Sequence, residues 1–119
     1  IIKELCDEGI DFIAIDLDSL TQLTLGVDRS NEKVSSLFNE LHPAVVRQIK
    51  SIITMCKSAN VETSVFGGNT HNEGVINFFV KAGIDSISVK PSHLITSRQT
   101  IAKNEKKLLL SAARKDIGF

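Results

Sequence analysis

The sequence predicts an α/β domain built on a parallel sheet, and three observations carry that expectation. β-rich runs alternate with helical patterns along the whole chain. Strands joined through helices must cross over and run parallel. One junction is used twice: Glu8-Gly9-Ile10-Asp11-Phe12-Ile13 recurs as Ala82-Gly83-Ile84-Asp85-Ser86-Ile87. Both copies close a helix on glycine, turn through Ile-Asp and enter a strand, the signature of a βα-repeat architecture.

In chain order, Ile1 to Glu8 reads as a helix tail that ends at Gly9, a left-handed C′ residue. Asp11 to Asp16 is the first strand, and Asp18 or Ser19 is the expected N-cap of the turn after it. Pro43 to about Ala59 is the clearest helix. Val45, Val46, Ile49, Ile52, Ile53 and Cys56 recur at threes and fours, Pro43 suits the first turn, and His42 is a surface or capping residue. Val61 to Phe66 is the second strand, bounded by Asn60 and Gly67-Gly68. Asn72 to Ala82 is a helix with Val75, Ile76, Phe79 and Val80 on its buried face, closed by Gly83. Asp85 to Lys90 is the third strand, and His93 to about Arg114 the last helix. Its polar stretch from Lys103 to Lys107 is expected to fray or protrude as a solvated face.

Size and charge exclude several classes of function. The chain has 119 residues, the length of one domain, and 42% of them are hydrophobic, which argues against disorder. Fourteen basic residues balance fourteen acidic ones. A nucleic-acid binder held by phosphate neutralisation would carry a basic excess, so none is expected as a partner. No apolar run reaches the roughly 18–20 residues that cross a bilayer, so no membrane association is expected either. Cys6 and Cys56 are isolated in sequence, which suits a reducing cytoplasm better than a disulfide scaffold. A closed eight-stranded βα barrel takes about 250 residues, so three strands are at most about half of one. A small open sheet is the other arrangement, and either leaves a strand edge that wants a partner. The non-Met start inside a helix suits a piece of something longer.

Ligands of parallel α/β folds bind at the carboxyl ends of the strands. Those ends are Asp16-Leu17-Asp18-Ser19, Phe66-Gly67-Gly68-Asn69-Thr70-His71 and Lys90-Pro91-Ser92-His93. Asp18, His71 and His93 are candidate ligands for a divalent ion, through oxygen and imidazole nitrogen. A merely solvated polar rim is the plainer reading of the same residues. Gly67-Gly68 would let backbone amides approach a phosphate or carboxylate, or would simply make a tight turn. No Gly-x-Gly-x-x-Gly, Walker or Gly-x-Ser-x-Gly spacing occurs, and neither cysteine has a neighbouring histidine to activate it.

The run Leu20-Thr21-Gln22-Leu23-Thr24-Leu25-Gly26-Val27-Asp28-Arg29 is more specific. With Phe12 to Ile15, His42 to Val45 and Ala82 to Ser88 in the same order, residues 1–95 resemble a known domain. It is the C-terminal phosphoenolpyruvate/pyruvate-binding domain of the PEP-utilising enzymes, the family of phosphoenolpyruvate synthase (pyruvate, water dikinase). The resemblance implies the last three strands of a TIM-type (β/α)8 barrel, unclosed on its own, with 96–119 a C-terminal helical extension. It implies phosphoenolpyruvate or pyruvate as ligand and Mg²⁺ as cofactor. In the family a phosphohistidine on a separate domain exchanges its phosphoryl group there, and a cysteine handles the methylene proton. Carried over residue by residue, the substrate-binding positions are Asp18, Gly67 and Gly68. The metal-binding aspartate position is Ser19, and the cysteine position is Phe66. A phenyl ring transfers no proton, and Asp18 repels a carboxylate unless a cation intervenes. The expectation is a truncated or degenerate domain, inactive alone. The alternative is an assembly module that forms a homo-oligomer or docks to a complementary upstream half-barrel.

Overall fold

A computed structural model describes residues 1–117. Five α-helices and three strands follow one another: α1 (Ile2–Asp7), β1 (Phe12–Asp16), α2 (Leu17–Leu25), α3 (Pro43–Ser58), β2 (Glu62–Phe66), α4 (Glu73–Ala82), β3 (Ser86–Ile87) and α5 (Leu94–Asp116). Short 3₁₀ turns occupy Ser35–Leu37 and Pro91–His93.

The sheet is open, ordered β1-β2-β3, and every pairing is parallel. β1 aligns with β2 from Phe12↔Glu62 to Asp16↔Phe66, whereas β3 meets β2 only at Ser64↔Ser86 and Val65↔Ile87. The architecture is therefore the α/β class expected, an open parallel sheet consistent with part of a (β/α) barrel.

Local chemistry explains the helix ends. The His42 side chain caps α3, its Nδ1 accepting from the Ala44 N–H at 3.1 Å, and Pro43 opens the first turn. Asn72 caps α4 through Oδ1, which accepts from the N–H groups of Gly74 and Val75. Gly9 and Gly83 follow α1 and α4 with φ of 86° and 85°, a region costly for any residue with a Cβ.

Packing places the core on one face of the sheet. Ile15 and Val65 from the strands meet Leu17, Val45, Ile49, Ile53, Val75 and Phe79 from the helices. Each fully buried side chain of this kind contributes about 1.5–3 kcal/mol relative to an exposed one. On the opposite face Phe12, Ala14, Glu62 and Phe66 are exposed, so no element among the described residues covers it. Parallel sheets are normally covered on both faces.

Five sequence expectations change. The third strand is not Asp85 to Lys90 but Ser86–Ile87, because Pro91 opens a 3₁₀ turn that takes the chain away from β2. The residues after the first strand form a nine-residue helix, α2, rather than a turn. Its N-cap is Asp16, not Asp18 or Ser19, because the Asp16 carboxylate reaches the Ser19 N–H at 3.2 Å. The last helix begins at Leu94, after a 3₁₀ turn that includes His93. It does not fray at Lys103 to Lys107. Asn104 is buried there, and every described residue from Glu105 onward is exposed. The final two positions of the expected 96–119 extension lie outside the described residues.

Candidate functional site

The carboxyl ends of the three strands meet around one cleft of about 600 Å³. Asp18, Arg29, Phe66, Gly68, Lys90 and His93 are among its walls. All three rim segments singled out in the sequence therefore converge.

At the end of β1, Asp16 serves the backbone. Its Oδ2 accepts from the Ser19 hydroxyl at 2.6 Å, and Oδ1 from the Ser19 N–H. The hydroxyl first, and the amide second, hold the Asp16 carboxyl below the usual carboxylate range. Two residues further on, Asp18 spans two loops. Its Oδ1 lies 2.6 Å from Arg29 Nη1, and its Oδ2 accepts from the Gly68 N–H at 3.0 Å. Arg29 is itself placed by the Gln22 side chain, which accepts from the Arg29 N–H at 3.1 Å. The guanidinium also lies 5.3 Å from the Phe38 ring centroid, within cation–π range.

At the end of β2, Gly67 and Gly68 have φ of 77° and 59°. Two successive left-handed glycines make a tight loop whose backbone N–H groups are open to acceptors. Two carboxylates of the chain take them: Asp18 at Gly68, and Glu40 at the Asn69 N–H, 2.9 Å away. Glu40 is 6% exposed, so this acceptor is a buried one. Close approach requires glycine here, since a Cβ on Gly67 would come within 3.0 Å of Asp16 Oδ1. The buried Thr70 hydroxyl donates to the Ser88 carbonyl at 2.7 Å and ties this loop to the end of β3.

On the β3 side, His71 and His93 stack plane to plane with centroids 4.0 Å apart. Lys90 lies on the same wall. Phe66 is 41% exposed and contributes an apolar surface to the cleft. Neither cysteine lies in this cleft. Cys56 is on the buried face of α3, and burial, reinforced by the neighbouring Cys6 thiol, pushes its thiol up to about 11.

A family model described as "PEP-utilising enzyme, PEP-binding domain" matches residues 1–106. The chain belongs to the PEP-utilising enzymes. Phosphoenolpyruvate synthase of Pyrococcus furiosus is 45% identical over 108 residues, which cover 91% of this chain and 13% of that protein. Phosphoenolpyruvate synthase of Helicobacter pylori is 40% identical over 99 residues, covering 82% of this chain and 12% of that protein. The chain thus spans about one-eighth of the length of these relatives.

Membership raises the question of a divalent ion, and the oxygen donors answer it. Mg²⁺ wants several free oxygen ligands in near-octahedral array. Both Asp18 oxygens are committed, and the Ser19 hydroxyl gives its proton to Asp16. Among the described residues no three His, Cys, Asp or Glu side chains converge to hold an ion. Asp18, His71 and His93 therefore share a cleft without forming a ligand set, and the described residues do not by themselves complete a Mg²⁺ site.

Asp18, Phe66, Gly67, Gly68, His71 and His93, all singled out in the sequence, line the cleft, whereas Ser19 stays outside its lining, bonded to Asp16; two residues were missed. Arg29 ends the ten-residue run that carries the resemblance, yet nothing local assigns it a partner. Glu40 sits 29 positions before the amide that it holds, in a segment with no motif.

Proposed function

We propose that this chain is a phosphoenolpyruvate-synthase-related form of the phosphoenolpyruvate/pyruvate-binding domain, without catalytic competence of its own. The rim that should do the chemistry supports this reading. Phe66 occupies the position of the proton-handling cysteine, and its ring has no proton to give. Ser19 stands where a metal-binding carboxylate is needed, and its neutral hydroxyl, which donates to Asp16, brings no negative charge to a cation. Asp18 adds a negative charge where a carboxylate substrate would bind, and that charge is already paired with Arg29. The substrate class stays phosphoenolpyruvate or pyruvate by descent, and the setting is the cytoplasm. No helix among the described residues is long and apolar enough to cross a membrane. A coupled assay for phosphoenolpyruvate formation from pyruvate, ATP and Mg²⁺ tests the reading with the 119-residue chain. The expected rate is background, and turnover above it overturns the proposal.

The uncovered sheet favours a second reading, an assembly module. β1 and β3 each keep one unpaired edge, and Phe12 is 62% exposed on the uncovered face. Self-association, or docking to a complementary half-barrel, would cover both features. Light scattering that returns a monodisperse 13.0 kDa species excludes obligate self-association.

A further inference from the structure

We propose that Asp18 is a built-in anion: its carboxylate fills an oxyanion cradle made by Arg29 and the Gly68 N–H. It thereby keeps small carboxylates and phosphates out of the rim. The inference rests on the reading of the rim as a substrate-binding site by descent, and adds what now occupies it.

Three observations carry it. First, the donors around Asp18 are those that recognise an oxyanion, a guanidinium and a backbone amide in a loop of two left-handed glycines. They come from 11 and 50 positions away, so the site is assembled by the fold and not by local turn chemistry. Second, the cradle is shaped around its occupant. A Cβ on Gly68 would lie 3.3 Å from Asp18 Oδ1 and would also run into the Glu40 carboxylate. Third, the cradle opens onto solvent. The Asp18 and Arg29 side chains keep 36% and 43% of their exposure, and the adjoining cleft holds about 600 Å³. Removing the Asp18 carboxylate would leave an accessible site, with the Glu40–Asn69 contact still holding the loop. Lys90, His71 and His93 on the facing wall would add positive charge or polar donors for an incoming anion.

The common chemistry is a small oxyanion, and the experiment separates its two sources. The ¹⁵N-labelled 119-residue chain, as wild type and as Asp18→Ala, is titrated with inorganic phosphate and separately with acetate. Amide and Arg Nε resonances report the site, and far-UV circular dichroism reports folding. Asp18→Ala is expected to bind phosphate, acetate or both at least about tenfold tighter than wild type, a gain of about 1.4 kcal/mol. The Gly68 amide and Arg29 Nε should move most. Asp18→Asn, which keeps the shape and removes the charge, should gain in the same direction and replaces Asp18→Ala if that variant does not fold. Adding Arg29→Ala should abolish the gain. The proposal is overturned if neither Asp18 variant gains affinity, or if the shifts gather at Lys90 and His71 without Gly68. Turnover by the wild-type chain would instead overturn the functional reading, and this titration does not measure it.

Discussion

The two copies of the Gly-Ile-Asp junction have the same backbone and opposite fates. Gly9 and Gly83 adopt φ values one degree apart, and each leads through Ile-Asp into a strand. Yet Asp85 is built into the sheet and Asp11 is not. The Asp85 Oδ2 accepts from the Thr63 N–H at 2.8 Å and lies 3.3 Å from its hydroxyl, while the Asp85 N–H donates to the Thr63 carbonyl. The Asp11 carbonyl accepts from the Glu62 N–H, but its carboxylate makes no hydrogen bond among the described residues. Neighbours make the difference. Asp85 precedes a strand that has β2 on one side, and its carboxylate satisfies a β2 amide that no residue of β3 reaches. On the corresponding side of Asp11, β1 has an open edge. Identical local sequence gives identical local conformation, and the surrounding chain decides whether the side chain matters.

The same contrast runs up the preceding helices, where it predicts the largest effect. Leu5 and Phe79 hold equivalent places, four residues before their glycines, but Leu5 is 43% exposed and Phe79 fully buried. Phe79→Ala should lower the free energy of unfolding by about 3–5 kcal/mol, and Leu5→Ala by less than about 1 kcal/mol. Urea denaturation followed by circular dichroism measures both, and equal losses would break the comparison.

A smaller effect falls on the aspartates themselves. Asp85→Ala leaves the amide and hydroxyl of Thr63, a residue only 1% exposed, without their acceptor. The cost should be about 1–3 kcal/mol. Asp11→Ala should stay within about 0.5 kcal/mol of wild type. Slower exchange of the Thr63 amide in wild type than in Asp85→Ala would locate the loss at that bond.

The smallest difference is expected at the glycines, where the copies agree. Gly9→Ala and Gly83→Ala should each cost about 1 kcal/mol, the price of a Cβ in the left-handed region. Nothing lies within 4 Å of a Cβ at Gly9, and at Gly83 the obstacle is the flexible end of Lys57. Losses that differ by more than about 1 kcal/mol would mean that the two turns are not equivalent.

Much of the candidate site was legible at the level of position. Parallel strands alternating with helices oblige Asp18, Gly67-Gly68, His71 and His93 to share one rim, and they do. Their pairings were not legible. Asp18 reads equally well as an N-cap, a metal ligand or a substrate contact until Arg29 and Gly68 are seen to hold it. The third strand differs for a similar reason. Asp85 to Lys90 has the composition of a strand, but only Ser86–Ile87 forms regular ladder pairs before Pro91 turns the chain away.

The sequence alone determined what depends on spacing and on backbone chemistry. That includes the α/β class, the cap at His42, the glycine-closed junctions, and the family to which the chain belongs. These follow from residues within a turn or two of one another, where sterics and short-range hydrogen bonds decide. Only the tertiary structure decided which charges meet. Glu40 reaches Asn69, Asp85 reaches Thr63, and Asp18 closes on Arg29 and Gly68. Such partners lie from 11 to 50 residues apart, and their distance is set by how the strands and helices pack.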